Sequence, residues 1–236
     1  AYVVAAMIDQ AHRAPDEAAR ASAHAGVDLL IPILKAWCTE TGIEVASTGI
    51  QVHGGMGFIE ETGASQHLRD ARITSIYEGT TGIQANDLIG RKVLRDGGRS
   101  MQALLSQIDA VCEQLEAGDD AQLHAIGARL REGSKSLADS VRWILATGMQ
   151  DLNAVLAGAV PFLHLCGVVC GGWQMARAAL AAQRKLAAGD SDAAFYRAKV
   201  ATARFFADQD LSRARGLAEA TMHAGASTMA LAEEQF

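Results

Sequence analysis

The sequence predicts an all-α protein, in which a helical bundle is followed by a second helical domain. Three observations favour this fold class. Alanine, the strongest helix former, is abundant; only 3 prolines interrupt the 236 residues; and no segment keeps the alternation of apolar and polar residues that is typical of strands. Half of the residues are hydrophobic and 20% are charged, so the chain can bury a sizeable core.

Helical spacing organises the first part of the chain. Residues 1–14 have the pattern of a helix end, and Asp16 can cap a second helix that is expected over 16–49. Pro32 can kink this second helix. The segment 50–63 is rich in glycine, which stops a helix and lets the backbone approach another surface closely.

A short polar helix or turn is expected over 63–71, and a further helix begins near Thr80 or Thr81. Thr81 and Gln84 have the spacing of a capping box. This helix ends at the Asp-Gly-Gly sequence of residues 96–98, which is the best candidate for a domain boundary. The predicted domains are therefore residues 1–98 and 99–236.

The second domain shows helical patterns only. Its predicted helices are separated by short polar or glycine-containing breaks and cover residues 101–117, 123–145, 150–188 and 192–220. The tail, 222–236, gives no firm prediction. We find no catalytic constellation in this domain, which favours a structural role in oligomerisation or in covering a cofactor. The tryptophans are expected in the core or at an interface: Trp37, Trp143 and Trp173.

Composition argues against several classes of function. The net charge is −6 and the sequence has no long basic run, so it shows no sign of the positive charge that nucleic-acid binding needs. We find no apolar stretch of the ~18 residues that suggest a membrane span and no signal peptide, so no transmembrane segment is expected. The 7 histidines have no metal-ligand spacing, so no metal is expected.

The 4 cysteines form no CxxC pair. Cys166 and Cys170 are expected to be buried free thiols, which fits a reducing cytoplasm. Ala1 enters a helical pattern directly, without an initiator methionine. We therefore expect the chain to be a piece of a longer protein.

Three short elements between residues 51 and 92 contain the candidate functional residues. They are Gln51-Val52-His53-Gly54-Gly55-Met56-Gly57-Phe58, Leu68-Arg69-Asp70-Ala71-Arg72-Ile73 and Ile76-Tyr77-Glu78-Gly79-Thr80-Thr81-Gly82-Ile83-Gln84. The glycine cluster alone fits a tight turn between helices, or a loop whose bare amides face a phosphate. Glu78 fits either an acidic residue favoured by the helix dipole or a general base. Spacing alone does not separate these interpretations.

In combination, the order and close spacing of the three elements resemble the C-terminal helical domain of acyl-CoA dehydrogenases. The resemblance covers about residues 1–95 and is most specific over 51–92. The sequences at 60–63 and 81–88 are similar to one branch of that family. This branch has an extra C-terminal helical domain and includes the 3-methylthiopropanoyl-CoA dehydrogenases. Residues 99–236 would be that extra domain.

The resemblance implies an FAD-dependent α,β-dehydrogenation of an acyl-CoA thioester. In this family a carboxylate removes the proton alpha to the thioester carbonyl, a hydride leaves the beta carbon for N5 of the flavin, and the product is a trans-2-enoyl-CoA. Glu78 matches this catalytic base, and Gly79 matches a position that lies against the substrate. The electrons would then pass to an electron-transfer flavoprotein.

The resemblance also implies contacts with FAD. Gln51, Gly54 and Gly55 match the segment that touches the adenosine and pyrophosphate part of FAD, often from a neighbouring subunit. Thr80 matches a residue near the phosphates of the same cofactor, in line with anion binding at a helix start. A homo-oligomer is therefore expected, with a dimer favoured. At Gly82 many relatives carry glutamine, so no contact is assigned there.

The remaining polar residues have structural interpretations. His53 is expected to make a local hydrogen bond. Arg69, Asp70 and Arg72 are expected to form a salt-bridge and capping network, with phosphate binding as the alternative.

The sequence lacks the upstream domains of the family, which hold much of the flavin and the acyl-CoA pocket. The chain alone is therefore expected to bind FAD weakly or not at all and to be inactive. The alternative function on this scaffold is a DNA-binding flavoprotein of the alkylation response, against which the low basic content argues.

Overall fold

The computed structural model describes residues 1–228 and 230–235. Within these residues the protein has eleven α-helices, several short 3-10 turns, one π-helix and no strand, which confirms the predicted all-α fold. The chain divides into two compact units, one of residues 1–91 and one that begins at Lys92. The predicted boundary at 98/99 lies slightly further along the chain, and the assignment of two domains with that boundary stays a prediction.

The first unit is organised around one long helix, α2. Its α-helices are α1 (Tyr2–Arg13), α2 (Glu17–His53), α3 (Gly55–Phe58), α4 (Ala64–Arg72) and α5 (Thr81–Asp87), with 3-10 turns at Glu60–Thr62 and Ile73–Ser75. Helix α5 is followed directly by the π-helix Leu88–Leu94. Helices α1, α4 and α5 all pack against α2. The buried face of α2 includes Leu29, Leu30, Ile33 and Ala36, so α2 forms the centre on which the other helices of this unit pack.

Local sequence signals explain where α2 begins and ends. The carboxylate of Asp16 accepts hydrogen bonds from the N–H groups of Ala18 at 3.4 Å and Ala19 at 2.9 Å, which confirms the predicted N-cap. Pro32 is buried inside α2, and the helix continues beyond it. The helix also extends past its predicted end at residue 49. It stops at Gly54, whose φ of 63° and ψ of −145° suit glycine alone.

Helix α5 begins where predicted, but its N-terminal capping differs from the prediction. Thr80 is the N-cap residue, and its hydroxyl accepts a hydrogen bond from the N–H of Ile83 at 3.3 Å. Thr81 instead donates its hydroxyl hydrogen to the carboxylate of Glu40 on α2. The capping box predicted for Thr81 and Gln84 is therefore wrong, because a tertiary partner takes the Thr81 hydroxyl.

The second unit is a bundle around helix α9. Its α-helices are α6 (Arg99–Glu116), α7 (Ala121–Thr147), α8 (Leu152–Ala157), α9 (Ala159–Ala187), α10 (Ala193–Gln209) and α11 (Ala214–Thr228), with 3-10 turns at Leu211–Arg213 and Glu233–Gln235. Helices α6, α7, α10 and α11 pack against α9. Large side chains of α9 are fully buried there, among them Phe162, Leu163 and Leu165.

The single helix predicted over 150–188 is two helices, α8 and α9, which meet at Gly158. Pro161 lacks the N–H that would bond to the carbonyl of residue 157 in a continuous helix. A Cβ at Gly158 would lie 2.1 Å from the carbonyl oxygen of Thr221 on α11. The break therefore has a local cause in Pro161 and lets the backbone of α11 approach closely.

The helix predicted over 192–220 is also two helices, α10 and α11, separated by the turn Leu211–Arg213. Leu211 is buried, and its side chain packs beside Gly133 of α7 and Gly172 of α9. No glycine or proline marks this turn in the sequence, so tertiary packing decides it. Helix α11 continues into the tail region, of which Met229 and Phe236 lie outside the described residues.

Helix α9 meets the length and composition criteria for a membrane span, with a mean hydropathy of 1.3. The expectation that no stretch is apolar over this length is therefore wrong. However, 61% of the apolar window is buried inside the fold, and the core helix of a helical bundle meets the same criteria. Helix α9 is thus weak evidence for a membrane segment, and the expected absence of one stays a prediction.

Candidate active site

Glu78 lies in an exposed loop between the turn Ile73–Ser75 and helix α5. Its φ is 54°, and within the described residues no other non-glycine residue has a positive φ. The left-handed region disfavours residues that carry a Cβ, at a cost of about 1–3 kcal/mol, so such a conformation persists only where the surroundings hold it. The backbone at Glu78 must therefore be held by specific contacts.

Lys35 of α2 supplies these contacts. Its Nζ donates hydrogen bonds to the carbonyl oxygens of Thr74 at 2.9 Å, Tyr77 at 3.0 Å and Gly79 at 2.6 Å. An ammonium group has three N–H donors, so all of them are used on this one loop. Hydrogen bonds from a charged donor are stronger than those between neutral groups. The carbonyl groups on both sides of Glu78 are thereby tied to α2.

One further hydrogen bond holds the end of the loop. The hydrogen bond from Thr81 to Glu40 ties the first residue of α5 to α2. Gly79 has a φ of 94°, and a Cβ at this position would lie 2.6 Å from Nε2 of Gln84. This position therefore favours glycine for its backbone angle, and a Cβ there would require the Gln84 side chain to move.

The carboxylate of Glu78 is not engaged by the fold. Among the residues that the structure describes, it makes no hydrogen bond and no ion pair. The neighbouring side chains of Ile76 and Tyr77 are about half exposed. The loop thus combines a fixed backbone with a carboxylate that is free to accept a proton from a bound molecule.

The glycines of the turn after α2 differ in whether the fold itself requires them. The N–H of Gly54 donates to the carbonyl of Gln51 at 3.1 Å, and the N–H of Gly57 donates to the carbonyl of Gly54 at 2.9 Å. A Cβ at Gly57 would lie 2.3 Å from the carbonyl oxygen of Ile50, so the fold requires this glycine. Gly55 is exposed and has no positive φ, and nothing lies within 4 Å of its Cβ position. The fold itself does not require a glycine at position 55.

The structure places Glu78 and the glycine turn at different points along α2. Lys35, which holds the loop of Glu78, is near the middle of the helix, and His53 is its last residue. At a rise of 1.5 Å per residue, this separation along α2 is roughly 27 Å. The predicted site residues therefore form two separate groups within the chain. One group is Gln51, Gly54 and Gly55, and the other is Glu78, Gly79 and Thr80.

The basic residues near the loop are used within the fold. Arg69 forms an ion pair with Glu60, and Nη1 of Arg72 donates to the hydroxyl of Ser75 at 2.7 Å. Asp70 accepts a long hydrogen bond of 3.5 Å from Gln66. The predicted salt bridge is thus present at Arg69, while Asp70 and Arg72 make hydrogen bonds within their own segment and no helix cap.

The thiols offer no competing nucleophile in the second unit. In the described part of the chain all four cysteines are free. This confirms the free thiols predicted at Cys166 and Cys170, of which Cys166 is buried and Cys170 is partly exposed. Burial raises the pKa of Cys112 to about 11 and that of Cys170 to about 12, and it also raises the pKa of Cys166. Such thiols stay protonated at neutral pH and are inert. The described residues also contain no cluster of histidine, cysteine, aspartate or glutamate that could hold a metal ion.

Lys35 was not among the site residues predicted from the sequence. A signal was nevertheless present, because Lys35 is a charged residue within an apolar stretch of α2 that includes the buried residues Ile33 and Ala36. A charge in such a stretch needs a partner. The pattern did not show that the partner is the loop 74–79, which is distant in sequence.

The fold and its matches define the class of the protein. Residues 1–94 match the family described as acyl-CoA dehydrogenase, C-terminal domain. Residues 104–232 match the family described as acetyl-CoA dehydrogenase C-terminal like. The chain belongs to the acyl-CoA dehydrogenase family, in the branch that has a second C-terminal helical region, which confirms the resemblance seen in the sequence.

Curated relatives agree with this assignment. The 3-methylmercaptopropionyl-CoA dehydrogenase of Ruegeria pomeroyi is 52% identical over 204 residues, which are 86% of this chain and 34% of that protein. The broad-specificity linear acyl-CoA dehydrogenase FadE5 of Mycobacterium tuberculosis is 32% identical over 76% of this chain and 30% of its own length. A butyryl-CoA dehydrogenase of Syntrophomonas wolfei is 29% identical over 96% of this chain and 37% of its own length. The chain thus spans about a third of the length of these relatives.

Proposed function

We propose that this chain is the C-terminal part of an FAD-dependent acyl-CoA dehydrogenase, in which Glu78 removes the α-proton of an acyl-CoA thioester. The observation that carries the proposal is the loop of Glu78, whose strained backbone is tied to α2 while its carboxylate is unengaged. A base that removes a proton from carbon must meet it at a defined distance, and a fixed backbone provides that distance.

The proposed reaction breaks two C–H bonds. The Glu78 carboxylate takes the α-proton, and the electron pair of that bond forms the Cα=Cβ bond of a trans-2-enoyl-CoA. Bound FAD supplies the acceptor for the hydride that leaves the beta carbon. The backbone N–H of Glu78 is proposed to donate a hydrogen bond to the thioester carbonyl, which makes the α-proton more acidic. Gly79 is proposed to lie against the substrate beside the carboxylate.

The glycine turn supports contact with FAD. Gly55 has open space at its Cβ position, so a glycine there is not explained by the fold. A bare backbone on an exposed turn allows close approach of a phosphate or a planar group. We place the FAD contacts at Gln51, Gly54, Gly55 and Thr80.

The separation along α2 supports a homo-oligomer, with a dimer favoured. Since Lys35, which holds the loop of Glu78, lies roughly 27 Å along α2 from the glycine turn, we propose that the turn contacts the FAD of a neighbouring subunit. Electrons are proposed to leave through an electron-transfer flavoprotein. The free thiols fit a reducing compartment, and the proposal places the enzyme in the cytoplasm. The chain on its own is proposed to bind FAD weakly and to be inactive.

The substrate class is proposed from the relatives. The relative with 52% identity is named a 3-methylmercaptopropionyl-CoA dehydrogenase, so 3-methylmercaptopropionyl-CoA is the first substrate to assay. The names of the other relatives make butyryl-CoA and longer linear acyl-CoA thioesters the next.

The decisive experiment is Glu78→Gln in the complete enzyme. We expect kcat to fall by about 10²–10⁴-fold, because the general base is lost, while the flavin absorbance shows unchanged FAD content. The matched control is Glu61→Gln, which changes another exposed glutamate of the first unit and should leave kcat unchanged. Retained turnover in Glu78→Gln would defeat the proposal.

A second experiment tests the FAD contact. Gly55→Ala should weaken FAD binding, measured by flavin fluorescence titration, while the free energy of unfolding stays nearly constant, because the added methyl meets no atom of the chain. Gly42→Ala on α2, where the Cβ position is also open, is the control and should leave FAD affinity unchanged. Equal FAD affinity in both variants would remove Gly55 from the cofactor site.

A further inference from the structure

We infer that Lys35 is the positioning residue of the proposed base: its ammonium group holds the loop 74–79 so that Glu78 stays in the left-handed conformation that aims its carboxylate. This inference rests on the proposed function of Glu78. Lys35 itself contacts only backbone carbonyl oxygens of the loop, so it acts through the geometry of the loop and not on the substrate.

The match between donors and acceptors carries the inference. Each of the three ammonium hydrogens meets one carbonyl oxygen, and two of these carbonyls belong to Tyr77 and Gly79, the residues on either side of Glu78. The third carbonyl, of Thr74, lies in the turn that leads into the loop. A single rigid point on α2 thus fixes the backbone before and after Glu78.

The conformation of Glu78 explains why such a clamp is needed. A non-glycine residue at a φ of 54° drifts towards the commoner regions when nothing holds it. Removal of the ammonium would leave three carbonyl oxygens without their donor and would let the loop relax. The carboxylate would then spend less time in the reactive position, and misplacement by about 1 Å can lower a rate by about 10²-fold.

A second cation on the same helix offers a matched control. Arg20 also projects from α2 and donates to backbone carbonyl oxygens, of Ala14 at 2.7 Å and Pro15 at 3.0 Å. Its loop lies at the start of α2 and does not carry Glu78. Arg20→Met therefore removes a cation with a comparable structural role but leaves the loop of Glu78 tied.

The experiment compares Lys35→Met, Lys35→Arg and Arg20→Met in the complete enzyme. Lys35→Met should lower kcat by about 10- to 100-fold, with KM and FAD content close to those of the wild type. The kinetic isotope effect with α-deuterated substrate should rise, because proton removal becomes slower. Lys35→Arg should have an intermediate kcat, since the planar guanidinium keeps the charge but cannot direct three N–H groups from one nitrogen. Arg20→Met should keep the kcat and the isotope effect of the wild type.

Hydrogen exchange on this chain gives a readout that is independent of turnover. Amides of residues 74–81 should exchange faster in Lys35→Met than in the wild type and in Arg20→Met. The inference is overturned if exchange in this segment is the same in all three proteins, or if Lys35→Met changes KM or FAD content while kcat stays at the wild-type value. If Lys35→Met does not fold, a wild-type kcat and isotope effect in Lys35→Arg overturn it as well.

The two proposals fail in different ways. If Glu78→Gln is inactive while Lys35→Met is fully active, only the role of Lys35 is wrong. If Glu78→Gln is active, the proposed base is wrong whatever the Lys35 variants show.

Discussion

Replacing Glu78 with glycine is expected to stabilise the protein. A residue with a Cβ loses about 1–2 kcal/mol in the left-handed conformation, which Glu78 adopts with a φ of 54°. Glycine does not have this cost, but it loses about 0.5–1 kcal/mol more backbone entropy on folding. These ranges leave a net gain of about 0–1.5 kcal/mol, centred on about 0.75 kcal/mol. The lost side chain subtracts little, because Glu78 is exposed and its carboxylate has no partner within the described residues.

The matched variant is Glu78→Gln, which also removes the charge but keeps a Cβ. Urea unfolding of the two variants should give a midpoint that is about 0.2–0.5 M higher for Glu78→Gly, for a typical dependence on urea. Both variants should be inactive in the complete enzyme, so the more stable protein gains nothing in turnover. A midpoint for Glu78→Gly at or below that of Glu78→Gln would refute the claim that the loop holds Glu78 under strain.

The remaining predictions concern the second unit. Gly158→Ala should lower the free energy of unfolding by about 3 kcal/mol or more, because the new methyl would lie 2.1 Å from a backbone carbonyl oxygen. Gly216→Ala has open space at its Cβ position and should raise the free energy of unfolding by about 0.5–1 kcal/mol. Equal melting temperatures for the two variants would contradict the packing described above. A thiol reagent at pH 8 should label Cys38 alone in the native chain and all 4 cysteines after unfolding, since Cys38 is exposed and burial raises the pKa of the others; rapid native labelling of a second thiol would contradict this. The hydrogen bond from Arg131 lowers the pKa of Glu116, so the pair stabilises the protein above the unfolded-state value of about 4.3 and loses this effect as the pH falls through the folded-state value. Between about pH 6 and pH 3, the free energy of unfolding should therefore fall less in Arg131→Gln than in the wild type. The difference between the two falls should be under about 1 kcal/mol, because this pair is exposed.

Helix positions were predicted well where a local signal was strong. The N-cap at Asp16 and the glycine pair 97–98 acted as expected, because capping and a positive φ depend on a few neighbouring residues. The predicted helix over 192–220 was wrong at Leu211, where no local breaker occurs and burial between neighbouring helices sets the turn. Periodicity records the apolar face of a helix and not the partner that covers it.

The candidate site was only partly visible in the sequence. Glu78, Gly79 and Thr80 are adjacent, so their motif could be recognised as one element. The strain at Glu78 and the three hydrogen bonds from Lys35 could not, because they depend on a backbone angle and on contacts between segments about forty residues apart.

The sequence alone determined the all-α class, the family and the short motif with its carboxylate, because composition, periodicity and adjacent residues are local properties of a chain. The tertiary structure decided what holds that carboxylate. It brought one ammonium group of α2 to three carbonyl oxygens around Glu78, and it separated this loop from the glycine turn along the same helix. Both results depend on how the chain folds back on α2, which a pattern along the sequence does not contain.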